Sequence, residues 1–244
     1  MLNLNSSEMS KKRILLVDDE EDILILLETV LIKEGFQNIH KATNGVTAIK
    51  AGISIEPDII VLDIMLPDMD GYEVCKQLRE FTYSPIIFLS AKSDDIDKLL
   101  GLSVGGDDYV TKPFSPKEVA YRIKAQFRRV DQIKQNKTSE VKLIKFGDIE
   151  IDEIKAEVTK NNQLINLTAK EYQLLLFLVK HPKQILSKEL ILDRVWGKGY
   201  EGHLNALMVH IHHLRQKIEN EPSMPEYLLT QRGLGYKFVP GGKS

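Results

Sequence analysis

One cysteine and one tryptophan in 244 residues set the first limits on this chain. With Cys75 alone it closes no internal disulfide and builds no thiolate metal cage. No stretch of about 18 consecutive apolar residues occurs, so no membrane-spanning helix is expected. The opening residues are polar and lack the basic-then-apolar pattern of a secretion leader. Strong net charge is missing as well, since 33 Lys and Arg against 35 Asp and Glu leave −2. These absences argue against a membrane protein, a disulfide scaffold and a zinc ribbon. What is left is a soluble cytoplasmic protein, long enough to bury a core without staples and to form one or two domains.

The near-neutral total hides an asymmetry. Residues 1–130 carry 16 Lys and Arg against 21 Asp and Glu, a balance of −5, whereas residues 131–244 carry 17 against 14, a balance of +3. Five of the six histidines lie in the second half. An acidic half joined to a mildly basic one suits a cation or phosphate site tethered to a polyanion binder.

Across 13–130, short apolar runs alternate with segments of helical period. Ile14 to Val17, Ile59 to Leu62, Ile86 to Leu89 and a shorter run at Tyr109-Val110 lack polar alternation, as parallel strands covered on both faces do. Helices are expected at 20–34, closed by Gly35, and at 44–53, opened by Asn44 as N-cap. Further helices are expected at 71–80, 94–104 and 116–129, with Asp94 and Ser115 capping the last two. Strand and helix in this order predict an α/β domain with a doubly wound five-stranded parallel sheet of flavodoxin-like type, after an N-terminal extension at 1–12. Residues 131–140 are polar and without periodicity, which predicts a linker.

Over 141–240 the pattern changes to short alternating strands with a turn at Asn161-Asn162. A Thr168-x-x-Glu171 capping box opens a helix that ends before Pro182. Helices at 187–195 and 204–219 follow, then a hairpin turning at Arg232-Gly233-Leu234-Gly235. Strands, three helices and a terminal hairpin predict an α+β winged helix-turn-helix.

Each apolar run of the first domain ends in polar chemistry: Asp18-Asp19, Asp63, Ser90 and Lys112-Pro113. Strand ends of a parallel sheet share one edge, so these groups should meet there. Three acids can hold Mg²⁺, which takes about six oxygen ligands and keeps several waters. Asp63 is the best nucleophile, because the central strand ends at the crevice where such folds bind ligands. Lys112 suits a phosphoryl oxygen as a point charge, Ser90 offers a hydroxyl to a second, and the bond before Pro113 is a candidate for cis. The segment Asp68-Met69-Asp70-Gly71-Tyr72 fits neither a phosphatase nucleophile, since Asp68 follows Pro67 in a loop, nor an EF-hand, since Leu66 and Gln77 stand where acids are needed.

In the helix at 204–219, Leu204, Leu207, Met208, Ile211, Leu214 and Ile218 are expected to form the buried stripe. Asn205, Ala206, Val209, His213 and Gln216, flanked by His210, His212, Arg215 and Lys217, are then expected to face a major groove, with Ala206 and Val209 suited to thymine methyl groups. Arg232 at the hairpin tip suits the minor groove or a phosphate.

Leu15-Leu16-Val17-Asp18-Asp19-Glu20, Val61-Leu62-Asp63-Ile64-Met65-Leu66-Pro67-Asp68-Met69-Asp70-Gly71, Leu89-Ser90-Ala91-Lys92 and Asp107-Asp108-Tyr109-Val110-Thr111-Lys112-Pro113-Phe114 together resemble the receiver domain of two-component response regulators. The second half, closing on Arg232-Gly233-Leu234-Gly235-Tyr236-Lys237-Phe238, resembles the winged-helix output domain of the OmpR/PhoB family. The resemblance implies a phosphorylation-activated transcription regulator, not an enzyme beyond slow self-dephosphorylation, whose Asp63 is modified by a sensor histidine kinase. It implies Mg²⁺ bound by Asp19, Asp63 and the Met65 carbonyl, with Asp18 acting through water. Ser90 and Tyr109 become the conformational switch, Tyr109 turning inward on phosphorylation, and Lys112 contacts the phosphoryl group. Lys98, Asp107, Asp108, Glu118, Arg122 and Arg129 become the salt-bridging face of a homodimer that binds tandem half-sites of double-stranded DNA. The loop at 196–202 resembles the family's contact with RNA polymerase. His212 and His213 stand where that family often carries arginines, which points to sites richer in A·T pairs. A phosphate relay whose second domain binds protein is the rival reading, separable by DNA binding with and without a phosphodonor.

Overall fold

The computed structural model describes residues 9–90, 104–135, 143–197 and 204–241, with 128–135 as backbone. The chain divides into two compact units, Met1–Arg128 and Arg129–Ser244.

The first unit is a five-stranded sheet in the order β2-β1-β3-β4-β5, all neighbours parallel. Its strands are β1 (Arg13–Val17), β2 (Asn38–Ala42), β3 (Ile59–Asp63), β4 (Ile86–Ser90) and β5 (Asp108–Thr111). The described helices are α1 (Glu21–Lys33), α2 (Gly45–Ile55), α3 (Gly71–Leu78) and α4 (Pro116–Gln135). Successive strand residues point to opposite faces, so alternation selects two cores. Ile14, Leu16, Ile59, Val61, Ile87 and Leu89 pack with α1 and α4 on one face. Leu15, Val17, Ile60, Leu62, Ile86 and Phe88 pack with α2 and α3 on the other. Continuous apolar runs are the consequence, because neither face meets water.

Two of the expected local signals hold in this unit. Asn44 Oδ1 accepts the Thr47 N–H at 2.9 Å to open α2, and Gly35 leaves α1 with φ +99°. α4 departs from the expected end at 129: it runs to Gln135, so the first half of the segment expected as linker is helical. Asp131, Gln132, Lys134 and Gln135 include no Gly or Pro, and polar residues without a breaker extend a helix readily. The helix expected at 94–104, with its Asp94 cap, falls almost wholly outside the described residues.

The second unit begins with a four-stranded antiparallel sheet, β6 (Leu143–Phe146), β7 (Ile149–Asp152), β8 (Glu157–Lys160) and β9 (Gln163–Ile165), in sequence order. Asn161 and Asn162 turn the β8–β9 hairpin with φ +51° and +63°, the left-handed pair such two-residue turns need. Helices α5 (Ala169–Val179), α6 (Lys188–Val195) and α7 (Leu204–Ile218) follow. Thr168 and Glu171 close the expected capping box, and Ser187 caps α6. The terminal hairpin of β11 (Leu228–Gln231) and β12 (Gly235–Phe238) gains a third strand, β10 (Ile185–Leu186), paired along β12. Gly235 makes that pairing possible: its φ is +132°, and a Cβ there would lie 2.0 Å from the Leu186 carbonyl oxygen. One core joins both sheets to the three helices through Phe146, Ile151, Leu175, Trp196, Leu207 and Phe238.

Candidate functional site

The C-terminal ends of β1, β3, β4 and β5 bring the predicted groups to one edge. Asp63 is paired with Leu89 across the β3–β4 ladder and Ser90 with Thr111 across β4–β5, which sets Asp63, Ser90 and Lys112 on adjacent strands. The Lys112 ammonium donates to Asp63 Oδ2 at 2.9 Å and to Asp18 Oδ2 at 3.0 Å. Carboxylate oxygens of Asp18, Asp19 and Asp63 all lie within 4.8 Å of one another. Asp18 and Asp63 are buried, at 0% and 3% exposure, while Asp19 faces solvent. The other Asp18 oxygen accepts the Glu20 N–H at 3.0 Å. Pro113 follows Lys112 through a cis peptide bond, and the Lys112 N–H reaches the Ser90 carbonyl at 2.6 Å.

Burial raises the Asp63 pKa, and the Asp18 charge adds to it against the hydrogen bonds from Lys112 and Met65. Burial by itself would lower Lys112, but its bonds to Asp63 and Asp18 outweigh that and raise it, so the ammonium is fixed. Among the described residues the site is therefore a crowded anion cluster held by one cation, Lys112. Its donors are hard oxygens, the ligand type of a small divalent ion.

The loop between β3 and α3 is stitched down at several points. Gly71 N–H donates to the Ile64 carbonyl at 2.8 Å, and a Cβ on Gly71 would lie 2.3 Å from the carbonyl oxygen of Asp63 itself. Only glycine lets α3 start this close to the end of β3. Asp70 caps α3 through the Tyr72 N–H at 2.8 Å. Asp68, set aside as a nucleophile, holds the N-terminus of α2: its two oxygens accept from Gly45 at 2.8 Å and Val46 at 2.9 Å. The Val46 and Gly45 N–H groups keep its carboxyl below the usual range. Nothing local in sequence signals this, because the partners lie more than twenty residues away.

Ser90 is buried, and Tyr109 is too, at 3% exposure, its ring 6.5 Å from that of Phe88. The inward position expected for Tyr109 after phosphorylation is thus already taken up here. Phe88 provides the seat, meeting Tyr72 edge-on at 5.4 Å on its other side.

In the second unit, α7 presents a narrower face than its sequence suggested. Met208, expected inside, is 49% exposed, and His212 and Gln216 are exposed in line with it. Asn205 and Val209 border that stripe, half-buried. Ala206 and His210 are corrections: both are buried, His210 against Trp196 with ring centroids 5.2 Å apart. Methionine, alanine and histidine are ambiguous in a helical pattern, and tertiary contact decided each. Arg215 is drawn to the hairpin, donating to the Leu228 carbonyl at 3.0 and 2.7 Å and to Thr230 Oγ1 at 2.8 Å. Lys217 donates to the buried Glu171 at 2.6 Å, and His213 Nδ1 lies 3.6 Å from the same carboxylate. Arg232 is exposed in the turn between β11 and β12.

Residues 14–124 match the family described as the response regulator receiver domain, and residues 161–238 match the C-terminal domain of transcriptional regulatory proteins. The chain is 43% identical to the transcriptional regulatory protein YvrH of Bacillus subtilis (strain 168), covering 95% of this chain and 97% of that one. It is 45% identical to the alkaline phosphatase synthesis transcriptional regulatory protein PhoP of the same strain, over 93% and 96% of the two chains. A solved structure of a RitR mutant superposes with a TM-score of 0.75 at 29% identity, covering 94% of this chain and all of that one. The chain belongs to the OmpR/PhoB response regulators. It is a phosphorylation-dependent transcriptional regulator rather than an enzyme in the ordinary sense, and its pairing of receiver and DNA-binding domain implies a kinase and DNA as partners. Among the described residues no helix is long and apolar enough to cross a membrane.

Two residues expected on a dimer face of this response regulator, Asp107 and Asp108, are buried, the second at 3% exposure. Asp107 has no solvent exposure, and its Oδ2 pairs with Arg79 at 2.7 Å and accepts the Ile86 N–H at 3.0 Å. Asp108, Arg122 and Glu118 form one chain of ion pairs within the unit, at 3.2 Å between Asp108 and Arg122 and 2.8 Å between Arg122 and Glu118. Lys98, the side chain of Arg129 and most of the loop at 196–202 lie outside the described residues.

Proposed function

We propose that Asp63 is the phosphoryl acceptor, that a sensor histidine kinase supplies the group, and that its transfer controls promoter binding by α7 and the terminal hairpin. The observation that carries this reading is the buried Asp63 carboxylate, at the end of the central strand, sharing Lys112 with Asp18 at 2.9 and 3.0 Å. An Asp63 oxygen attacks phosphorus of a phosphohistidine. A P–O bond forms as the N–P bond breaks, the electron pair leaving with the imidazole nitrogen, which takes a proton from solvent. Lys112 pairs with one phosphoryl oxygen and the Ser90 hydroxyl donates to another. Asp19, Asp63 and the Met65 carbonyl are the ligands for Mg²⁺. Asp18, held by Lys112 and the Glu20 N–H, acts on the ion through water. When bound, the ion neutralises a carboxylate cluster that would otherwise repel the incoming phosphate.

The modification adds a charge of about −1.5 to −2 beside Ser90 and couples through Tyr109 to the face that bears Glu118 and Arg122, the latter held by the buried Asp108. With Lys98 and Arg129, that face meets a second copy, and the dimer binds paired half-sites in the cytoplasm. The loop at 196–202 meets RNA polymerase, and slow hydrolysis at Asp63 ends the signal.

Labelling by a small phosphodonor in Mg²⁺ tests the centre of this reading. Asp63→Asn is expected to take up no stable label, while the wild type both labels and tightens on half-sites spaced about 10 to 10.5 base pairs apart. Stable labelling of the variant refutes Asp63 as the acceptor.

A further inference from the structure

The basic side chains of α7 do not stand where a helix reads base edges. Arg215 spends its fork on the Leu228 carbonyl and Thr230 Oγ1, and Lys217 is held by Glu171. The bidentate arginine-to-guanine contact, the commonest specific pairing in a major groove, therefore has no donor on the exposed stripe. What the stripe offers instead is an apolar centre with polar ends. Met208 and Val209 lie in the middle, Asn205 one turn before and His212 one turn after, with Gln216 a turn further on. Positions three and four apart share a helix face, so these side chains stand in a row.

We infer that Met208 is the base-reading centre of this helix and that it recognises thymine, through apolar contact with the C5 methyl groups of A·T pairs. The inference rests on the DNA-binding function proposed above. A methionine 49% exposed, on a helix whose Leu207, Ile211 and Leu214 neighbours are fully enclosed, stands outside the apolar core formed among the described residues of its unit. Methionine is unbranched and polarisable and adapts its shape to an apolar surface, which in a major groove is the thymine methyl. Asn205 and Gln216 extend the same preference, since a carboxamide pairs in bidentate fashion with adenine N6 and N7. Sequence selectivity then comes from methyl groups and amides. Cationic contact is left to groups outside the stripe, such as Arg232 at the hairpin tip.

The test uses the full-length protein, treated with a small phosphodonor, and a library of duplexes randomised over two half-sites. The wild type should enrich a motif containing thymine at one or two fixed positions per half-site. Deoxyuridine placed at those positions removes the methyl alone, and should weaken wild-type binding about fourfold per contact, the effect of one buried methyl group. Met208→Ala should bind the thymine and deoxyuridine duplexes equally, with its dependence on salt unchanged because phosphate contacts are untouched. A wild type indifferent to the methyl, or a Met208→Ala variant that keeps the full penalty, overturns the inference while leaving DNA recognition standing. A wild type that enriches no motif overturns the DNA-reading function, and this inference with it.

Discussion

Replacing Arg79 with alanine removes a guanidinium that ties three separate segments of the receiver together. Its Nη1 donates to the carbonyls of Ser84 at 2.7 Å and Thr82 at 3.2 Å, ahead of β4. Its Nε and Nη2 donate to the Gly105 carbonyl at 2.8 and 2.7 Å, and Nη2 pairs with Asp107 at 2.7 Å, ahead of β5. The Asp107 side chain has no exposure and that of Arg79 only 13%, so water screens this pair weakly. Removing one partner of a buried ion pair costs about 3–5 kcal/mol, because the other is left charged and desolvated. Arg79→Ala should lose about that much unfolding free energy. Asp107→Asn keeps a polar group beside Arg79 and Ile86 and should lose less, about 1–3 kcal/mol. Urea titration of the full-length protein measures both, with circular dichroism following the two units together. Fluorescence of Trp196, the only tryptophan, follows the second unit alone. A loss below about 1 kcal/mol for Arg79→Ala would mean that Asp107 finds other support. An equal shift in the Trp196 transition would mean that the effect is not confined to the receiver.

The phosphoryl site should be less stable than its isosteric variant. Burial, then the Asp18 charge, raises the folded pKa of Asp63 above its ordinary 3.8, so the folded state binds this proton more tightly than the unfolded one. The destabilisation is full above the folded pKa and is relieved as pH falls through it towards 3.8. Asp63→Asn should therefore unfold at higher urea than the wild type at pH 7.5 in chelator, with a gap that narrows as the pH falls towards 3.8, and the absence of any gap at pH 7.5 would disprove it. Gly71→Ala should force the end of β3 aside, since its Cβ would lie 2.3 Å from one backbone atom and 2.7 Å from another. Overpacking of that kind costs about 1–3 kcal/mol, and phosphodonor labelling should slow in parallel; unchanged labelling would show that the loop relaxes without moving Asp63.

The receiver was legible because its signals are local. An apolar run of four residues followed by Asp18, Asp63 or Ser90 states both the strand and where it ends, and parallel pairing then brings the ends together without further information. Asn44, Gly35, Thr168-x-x-Glu171 and Asn161-Asn162 are equally local, since each acts on backbone within a few residues. The two-residue β10 escaped notice because its evidence lies elsewhere, in the glycine at 235 that admits the Leu186 carbonyl against β12. The helical conformation of 131–135 was illegible for the opposite reason: polarity without periodicity describes a coil linker and a polar helix end alike.

Charged side chains were the harder class, and one cause accounts for most of the errors. A charge in a helical pattern is assigned to solvent by default, yet Arg215 is engaged 13 residues away at Leu228 and Lys217 46 residues away at Glu171. Asp107 is taken up 28 residues away by Arg79. Such pairings leave no trace in a single sequence, because each partner alone looks like an ordinary surface residue. By committing Arg215 to the hairpin and Lys217 to the capping box, the fold fixes how α7 stands on its own domain and at the same time takes cationic charge off its exposed stripe. On the reading proposed above, a helix so held meets DNA with Asn205, Met208, His212 and Gln216 rather than with arginine or lysine. Recognition on that reading depends on shape and methyl contact, with the salt-dependent share of binding moved to Arg232 and other surface cations. Arg215→Lys should then weaken DNA binding by loosening the joint between α7 and β11, since an ammonium cannot span the Leu228 carbonyl and Thr230 as the fork does.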